Sequence, residues 1–230
     1  MRIENRTVEL FPSAAPGAPL VLLNGEAGEG EAVAKAVRDL TSADFTLAAV
    51  SGLDWGDDLT PWPAPPAARG MSPCAGLADA YLQQLAGRIL PAIAAALPAR
   101  PAYAALAGYS LAGLFAAWAV TQCSLFERVA SVSGSLWYPD FVKYVAGNGP
   151  KSCVRRAYFS LGDAEPHTRN RAMRSVLEDT QQVEERFERS GVDTRFELNP
   201  GNHFTDEDLR TTRGIRWLLE DGGASDVPVA

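Results

Sequence analysis

Apolar residues in this chain fall into two kinds of run. Short, nearly continuous ones alternate with longer stretches at helical spacing, the pattern of a mostly parallel sheet covered by helices. Strands are expected at Arg6–Phe11, Leu20–Leu23, Phe45–Val50, Ala102–Ala107, Val129–Val132, Arg156–Leu161 and Thr194–Leu198. Leu20–Leu23 is wholly apolar, as a parallel strand buried on both faces should be. Helices are expected at Glu29–Leu40, Leu77–Leu97 with a kink at Pro91, Leu111–Gln122, Pro139–Val145, Thr168–Ser190 and Asp206–Leu219. Leu111–Gln122 is apolar almost all round and so belongs inside. Pro12–Pro19 reads as a connector. No repeat and no sharp shift in composition divides the chain, so residues 1–230 are read as one α/β domain with helices on both faces of its sheet.

One stretch fits neither kind of run. Residues 51–76 are rich in proline and glycine, which rules out regular structure, yet they carry Trp55 and Trp62. An aromatic excursion at the carboxyl end of a strand is where α/β proteins build ligand sites.

Charge and composition narrow the partners. Of 230 residues, 47% are hydrophobic and 21% charged, ordinary for a soluble globular protein. A formal charge of −7 argues against nucleic acid and against anionic membrane surfaces, both of which need clustered Lys and Arg. No apolar window is long enough to span a bilayer, and the opening MRIENRTVELF lacks the apolar core of a secretory signal. Cys74, Cys123 and Cys153 are odd in number and unpaired in spacing, as expected of reduced thiols in the cytoplasm. With two histidines and no CxxC, no metal site and no cofactor are expected.

The chemistry concentrates at Gly108-Tyr109-Ser110-Leu111-Ala112-Gly113, between an expected strand and the buried helix. A serine at the apex of a tight strand–turn–helix junction has its hydroxyl lifted above the sheet. Residues two away on either side must be small to let the turn close, and Gly108 and Ala112 are. Ser110 is the candidate nucleophile. Its general base should be a histidine in the loop after the last strand, the place of His203 in Asn199-Pro200-Gly201-Asn202-His203-Phe204. His167, at the start of an expected charged helix, reads as solvated. The acid that orients the imidazole should follow the Arg156–Leu161 strand, where both Asp163 and Glu165 stand. Glu165 is favoured for its reach, and Asp163 remains the alternative. Backbone N–H groups of Leu111 and of Gly25, in the glycine-rich loop after the second apolar strand, are expected to hold an oxyanion. That loop lacks the GK[ST] of a phosphate cradle, and Glu26, Glu29 and Glu31 would repel one.

At these residues the chain resembles the α/β-hydrolase superfamily. More narrowly it resembles the esterase family that includes siderophore esterases, feruloyl-esterase domains, S-formylglutathione hydrolases and mycobacterial mycolyltransferases. The resemblance is carried by GYSLAG around Ser110, Ser133-Gly134-Ser135-Leu136-Trp137 after the next strand, LGDAE around Glu165 and GNHF around His203. Ala112 departs from the family's usual glycine. The resemblance implies an α/β-hydrolase fold and a serine esterase working through an acyl-enzyme, with Ser110 and His203 in those roles. The segment after Ser133 is too short for a large cap domain, so the site should be open. Trp137, Tyr138, Trp55 and Phe204 should wall it, suiting a small-molecule ester with an aromatic or acyl moiety, siderophore-type esters among them. Acyl transfer on the same fold, or a non-catalytic binding protein, are the alternatives; oligomeric state is not legible.

Overall fold

A computed structural model describes residues 1–66, 70 and 72–220. Among these residues, eight strands form one sheet: β1 (Arg2–Ile3), β2 (Arg6–Phe11), β3 (Leu20–Asn24), β4 (Thr46–Ser51), β5 (Ala104–Tyr109), β6 (Arg128–Val132), β7 (Arg156–Gly162) and β8 (Asp193–Asn199). Their order is β1-β2-β4-β3-β5-β6-β7-β8. The two β2 pairings are antiparallel, and every pairing from β4 to β8 is parallel. The chain reverses its direction of travel at β3, whose two neighbours are β4 and β5. The carboxyl ends on either side of that switch point are where such sheets bind ligands.

Successive residues of the central strands enter different cores. Leu22 and Leu106 join the layer under α5 (Ser110–Gln122), α6 (Phe141–Gly147) and α7 (Val176–Glu188). Val21, Leu23, Ala105 and Ala107 join the layer under α1 (Glu29–Leu40) and α8 (Glu207–Leu219). Strands buried on both faces have no polar side to show, which is why they read as unbroken apolar runs. Trp55–Asp58 forms a short helix, α2, capped by the Asp54 carboxylate on the Asp57 N–H.

The helix expected over Leu77–Leu97 is three pieces: α3 (Ala78–Gln84), a π-helical turn (Leu85–Ile89) and α4 (Leu90–Ala96). Pro91 cannot donate a hydrogen bond, and its ring crowds the carbonyl four residues back. The widened turn just before it absorbs that conflict, so the irregularity precedes the proline. The helix expected over Thr168–Ser190 begins only at Val176. Before it, residues 163–175 form a loop with a single 3₁₀ turn at Arg171–Met173. Between β6 and β7 stands only α6, so no large cap covers the carboxyl ends of the strands.

Candidate active site

Ser110 sits where β5 becomes α5, with φ +55°. A non-glycine residue rarely takes this conformation, and it persists only where its surroundings enforce it. The enforcement is close packing. A Cβ on Gly108 would lie 2.5 Å from the Ala112 backbone carbon, so glycine is required there, while Ala112 itself fits, fully buried. The turn places Ser110 at the amino end of a 13-residue helix. By position, the Leu111 N–H has no acceptor within that helix, and the helix dipole favours negative charge beside it.

Two other loops converge on Ser110. His203, after β8, lies with Nε2 3.0 Å from Ser110 Oγ. Glu165, after β7, lies with Oε2 2.8 Å from His203 Nδ1. The other Glu165 oxygen accepts the Gly162 N–H at 2.6 Å and faces an Arg210 N–H at 3.2 Å. Burial works to raise the Glu165 carboxyl, but hydrogen bonds from His203, the Gly162 N–H and Ser133 outweigh it and hold the group below the ordinary carboxyl range. An ionised carboxylate can only accept. Nδ1 therefore donates to Glu165, and in the neutral imidazole Nε2 is left free to accept from the Ser110 hydroxyl.

Glu165 rather than Asp163 is the carboxylate on His203. Asp163 instead accepts the Gly201 N–H at 2.9 Å and braces the neighbouring loop. The structure also corrects the expectation for Gly25. Its N–H donates to the Val50 carbonyl at 3.1 Å, as the parallel sheet frays, so that donor is already engaged. The next N–H, of Glu26, donates to the Glu29 carboxylate at 2.9 Å.

A cavity of about 560 Å³ opens over Ser110. Trp55, Trp137, Tyr138 and Phe204 all line it, with Leu111, Ser135 and Met173. Phe204 is 79% exposed and stands edge-on to His203 at 5.2 Å between ring centroids. Trp62 does something else. Its indole N–H donates to the Pro139 carbonyl at 2.9 Å, and its ring packs on Tyr138, Phe141 and Tyr144. It fastens the proline-rich excursion to the segment before α6. The Tyr138 hydroxyl returns the bond, donating to the Trp62 carbonyl at 2.6 Å. His167 is exposed, in the loop after β7 rather than on a helix, and it borders the cavity outside the hydrogen bonds that join His203, Glu165 and Ser110.

Arg210, 1% exposed, is the residue that the pattern of the chain did not single out. From α8 its guanidinium reaches Glu165, the Ser133 hydroxyl (3.2 Å), the Tyr109 hydroxyl (3.4 Å) and the Pro200 carbonyl (2.9 Å). Tyr109 in turn donates to the His203 carbonyl at 2.7 Å. One buried cation thus ties the carboxyl ends of β5, β6, β7 and β8 together. The signal was present: Arg210 stands four residues before Gly214, on the inward stripe of α8, where an unpaired arginine would be very costly.

These elements define an α/β-hydrolase, with its parallel sheet and a serine on the sharp turn after β5. The family model described as Putative esterase matches residues 5–206, and the chain belongs to that family. The Uncharacterized protein YbbA of Bacillus subtilis (strain 168) is 27% identical over 138 residues, 59% of this chain and 55% of that protein. The match thus spans about half the length of this curated relative. Among solved structures, an IroE-like serine hydrolase from Shewanella oneidensis superposes with a TM-score of 0.75 at 16% identity, over 93% of this chain and 75% of that one. The siderophore hydrolase EstA from Aspergillus nidulans superposes with a TM-score of 0.70 at 16% identity, over 94% of each chain. At such identities the likeness establishes the shared fold. No helix among the described residues is long and apolar enough to cross a membrane.

Proposed function

We propose that this protein is a serine carboxylic-ester hydrolase acting through an acyl-enzyme. The observation that carries the reading is the unbroken hydrogen-bonded chain Ser110–His203–Glu165 at the floor of an aromatic cavity. Ser110 Oγ attacks the ester carbonyl carbon while His203 Nε2 takes its proton. Glu165 keeps the imidazole in the tautomer that leaves Nε2 bare, and it offsets the imidazolium charge. The Leu111 N–H, backed by the α5 dipole, stabilises the oxyanion of the tetrahedral intermediate. His203 protonates the departing alcohol. Water then attacks the acyl carbon with His203 again as base, the C–Oγ bond breaks, and the proton returns to Ser110.

The walls support an aromatic or acyl moiety. Trp55, Trp137, Tyr138 and Phe204 present ring faces and edges, and Met173 adapts to irregular shapes. Siderophore-type esters fall in this class, and EstA, which shares the fold, is described as a siderophore hydrolase. The reading includes one domain, a cytoplasmic setting consistent with the three free thiols, no metal or cofactor, and no nucleic-acid partner given the charge of −7.

The test is Ser110→Ala assayed on a panel of aryl and alkyl esters, with folding followed by thermal melting. Turnover should fall on the order of 10⁴-fold or more. A variant that melts like the parent but keeps parental turnover on a good ester would overturn the assignment.

A further inference from the structure

We propose that Ser135 is a second catalytic hydroxyl, which anchors the attacking water in the acyl-enzyme and so sets the rate of deacylation. The inference rests on Ser110 being the nucleophile. Ser135 is only 4% exposed, yet it borders the cavity. Its Oγ lies 3.4 Å from Ser110 Oγ. The backbone fixes this distance. After β6 the chain turns at Ser133, φ +44°, and the Ser135 N–H donates to the Ser110 carbonyl at 3.0 Å. One residue further along, Leu136 is fully buried, which pins the turn from the other side.

Counting protons gives the direction of the contact. The hydroxyl of Ser110 has one proton, and it is committed to the bare Nε2 of His203. Toward Ser135, then, Ser110 accepts and Ser135 donates. That bond belongs to the free enzyme. When Ser110 Oγ becomes the ester oxygen of the acyl-enzyme it is a poorer acceptor, and the Ser135 hydroxyl is released. The water that must then approach His203 Nε2 and the acyl carbon enters the same small volume. Ser135 can accept from or donate to it, giving the water a second fixed partner besides His203. The step balances without any other reactant: the water oxygen bonds to the acyl carbon, its proton passes to Nε2, the C–Oγ bond breaks, and the proton returns to Oγ.

The two chemical steps should therefore respond differently. The bond from Ser135 to Ser110 is a ground-state contact that weakens as Oγ attacks, so its loss does not slow acylation. Loss of the water anchor does slow deacylation, by about five- to ten-fold, the range expected for one hydrogen bond. Stopped-flow with a 4-nitrophenyl ester separates the steps as burst and steady state. Ser135→Ala should keep a burst rate within about three-fold of the parent, while steady-state turnover falls about five- to ten-fold and the burst amplitude rises toward one per enzyme. Ser135→Thr, which keeps a hydroxyl, should recover much of the steady-state rate. Labelling of Ser110 by an organophosphate at the parental rate reports that the Ala variant is folded and competent to acylate. Equal losses in burst and steady state, or no loss in either, overturn the proposal. A parent that shows neither a burst nor label at Ser110 overturns the esterase reading and this inference with it, and that outcome is distinct from the other two.

Discussion

The loops after β7 and after β3 are built alike and behave oppositely. Each leaves a parallel strand through a glycine, Gly162 or Gly25, and each carries a glutamate that folds back onto the N–H three residues earlier. Glu165 accepts from Gly162 at 2.6 Å, and Glu29 accepts from Glu26 at 2.9 Å. Their surroundings differ. Glu165 meets His203, Ser133 and the buried Arg210, and its carboxyl is held low against the effect of burial. Glu29 is pushed upward, first by burial and then by the neighbouring charges of Asp208, Glu207 and Glu26, with the Glu26 N–H only partly offsetting them. A single local motif thus gives a poised carboxylate in one place and an uncomfortable one in the other. What decides is the company that distant elements bring.

The largest expected effect breaks this comparison at its chemical end. Glu165→Gln should lower kcat on the order of 10⁴-fold, because the amide neither holds the tautomer nor offsets the imidazolium charge. Asp163→Asn keeps an oxygen for the Gly201 N–H and should leave kcat within a few-fold. A larger loss at Asp163 in steady-state assays of both variants would reverse the assignment of the acid.

Next comes the cation that separates the two environments. Arg210→Met leaves Glu165 short of a partner and four strand ends untied. Removing one member of a buried pair costs about 3–5 kcal/mol, roughly 6–20 °C in Tm for a chain of this size. Differential scanning calorimetry checks this, and an unchanged Tm would show that Arg210 is not the tie.

The smallest effects concern pH and have opposite signs. Glu165, with its carboxyl depressed, contributes stability that is complete above the ordinary carboxyl pKa of 4.5 and is lost as pH falls through its lower folded value. Glu29, with its carboxyl raised, costs stability at neutral pH, and that cost disappears as pH falls through its folded value toward 4.5. Glu29→Gln keeps an acceptor for the Glu26 N–H and removes the charge. It should raise Tm slightly at pH 7, and the gain should vanish near pH 4. Paired melts of parent and variant from pH 8 to pH 4 test the sign; a gain that grew toward acid would contradict it.

Much of the sheet was legible because burial on both faces leaves an apolar run with no other reading. Seven of the eight strands were expected; β1, two residues long, carries no pattern of its own. The elbow at Ser110 was legible because Gly108 and Ala112 meet a steric demand that is local in the chain. Local patterning failed at the start of α7, where residues with good helical spacing are taken up instead in the wall of the cavity. It failed at Gly25 because the competition for an N–H is settled by Val50, a residue of another strand.

The amino-acid order alone therefore determined the α/β layering, the turn that lifts Ser110 and the loops in which a base and an acid could stand. Only the tertiary structure set Glu165 rather than Asp163 against His203, since both follow the same strand and local patterning does not say which carboxylate meets it. Only it showed Trp62 as a fastener and Trp55 as a wall, and only it brought Arg210 and Ser135 to the site. Patterning reports what a residue needs from its own element, whereas a hydrogen bond between strand ends depends on how distant elements are packed.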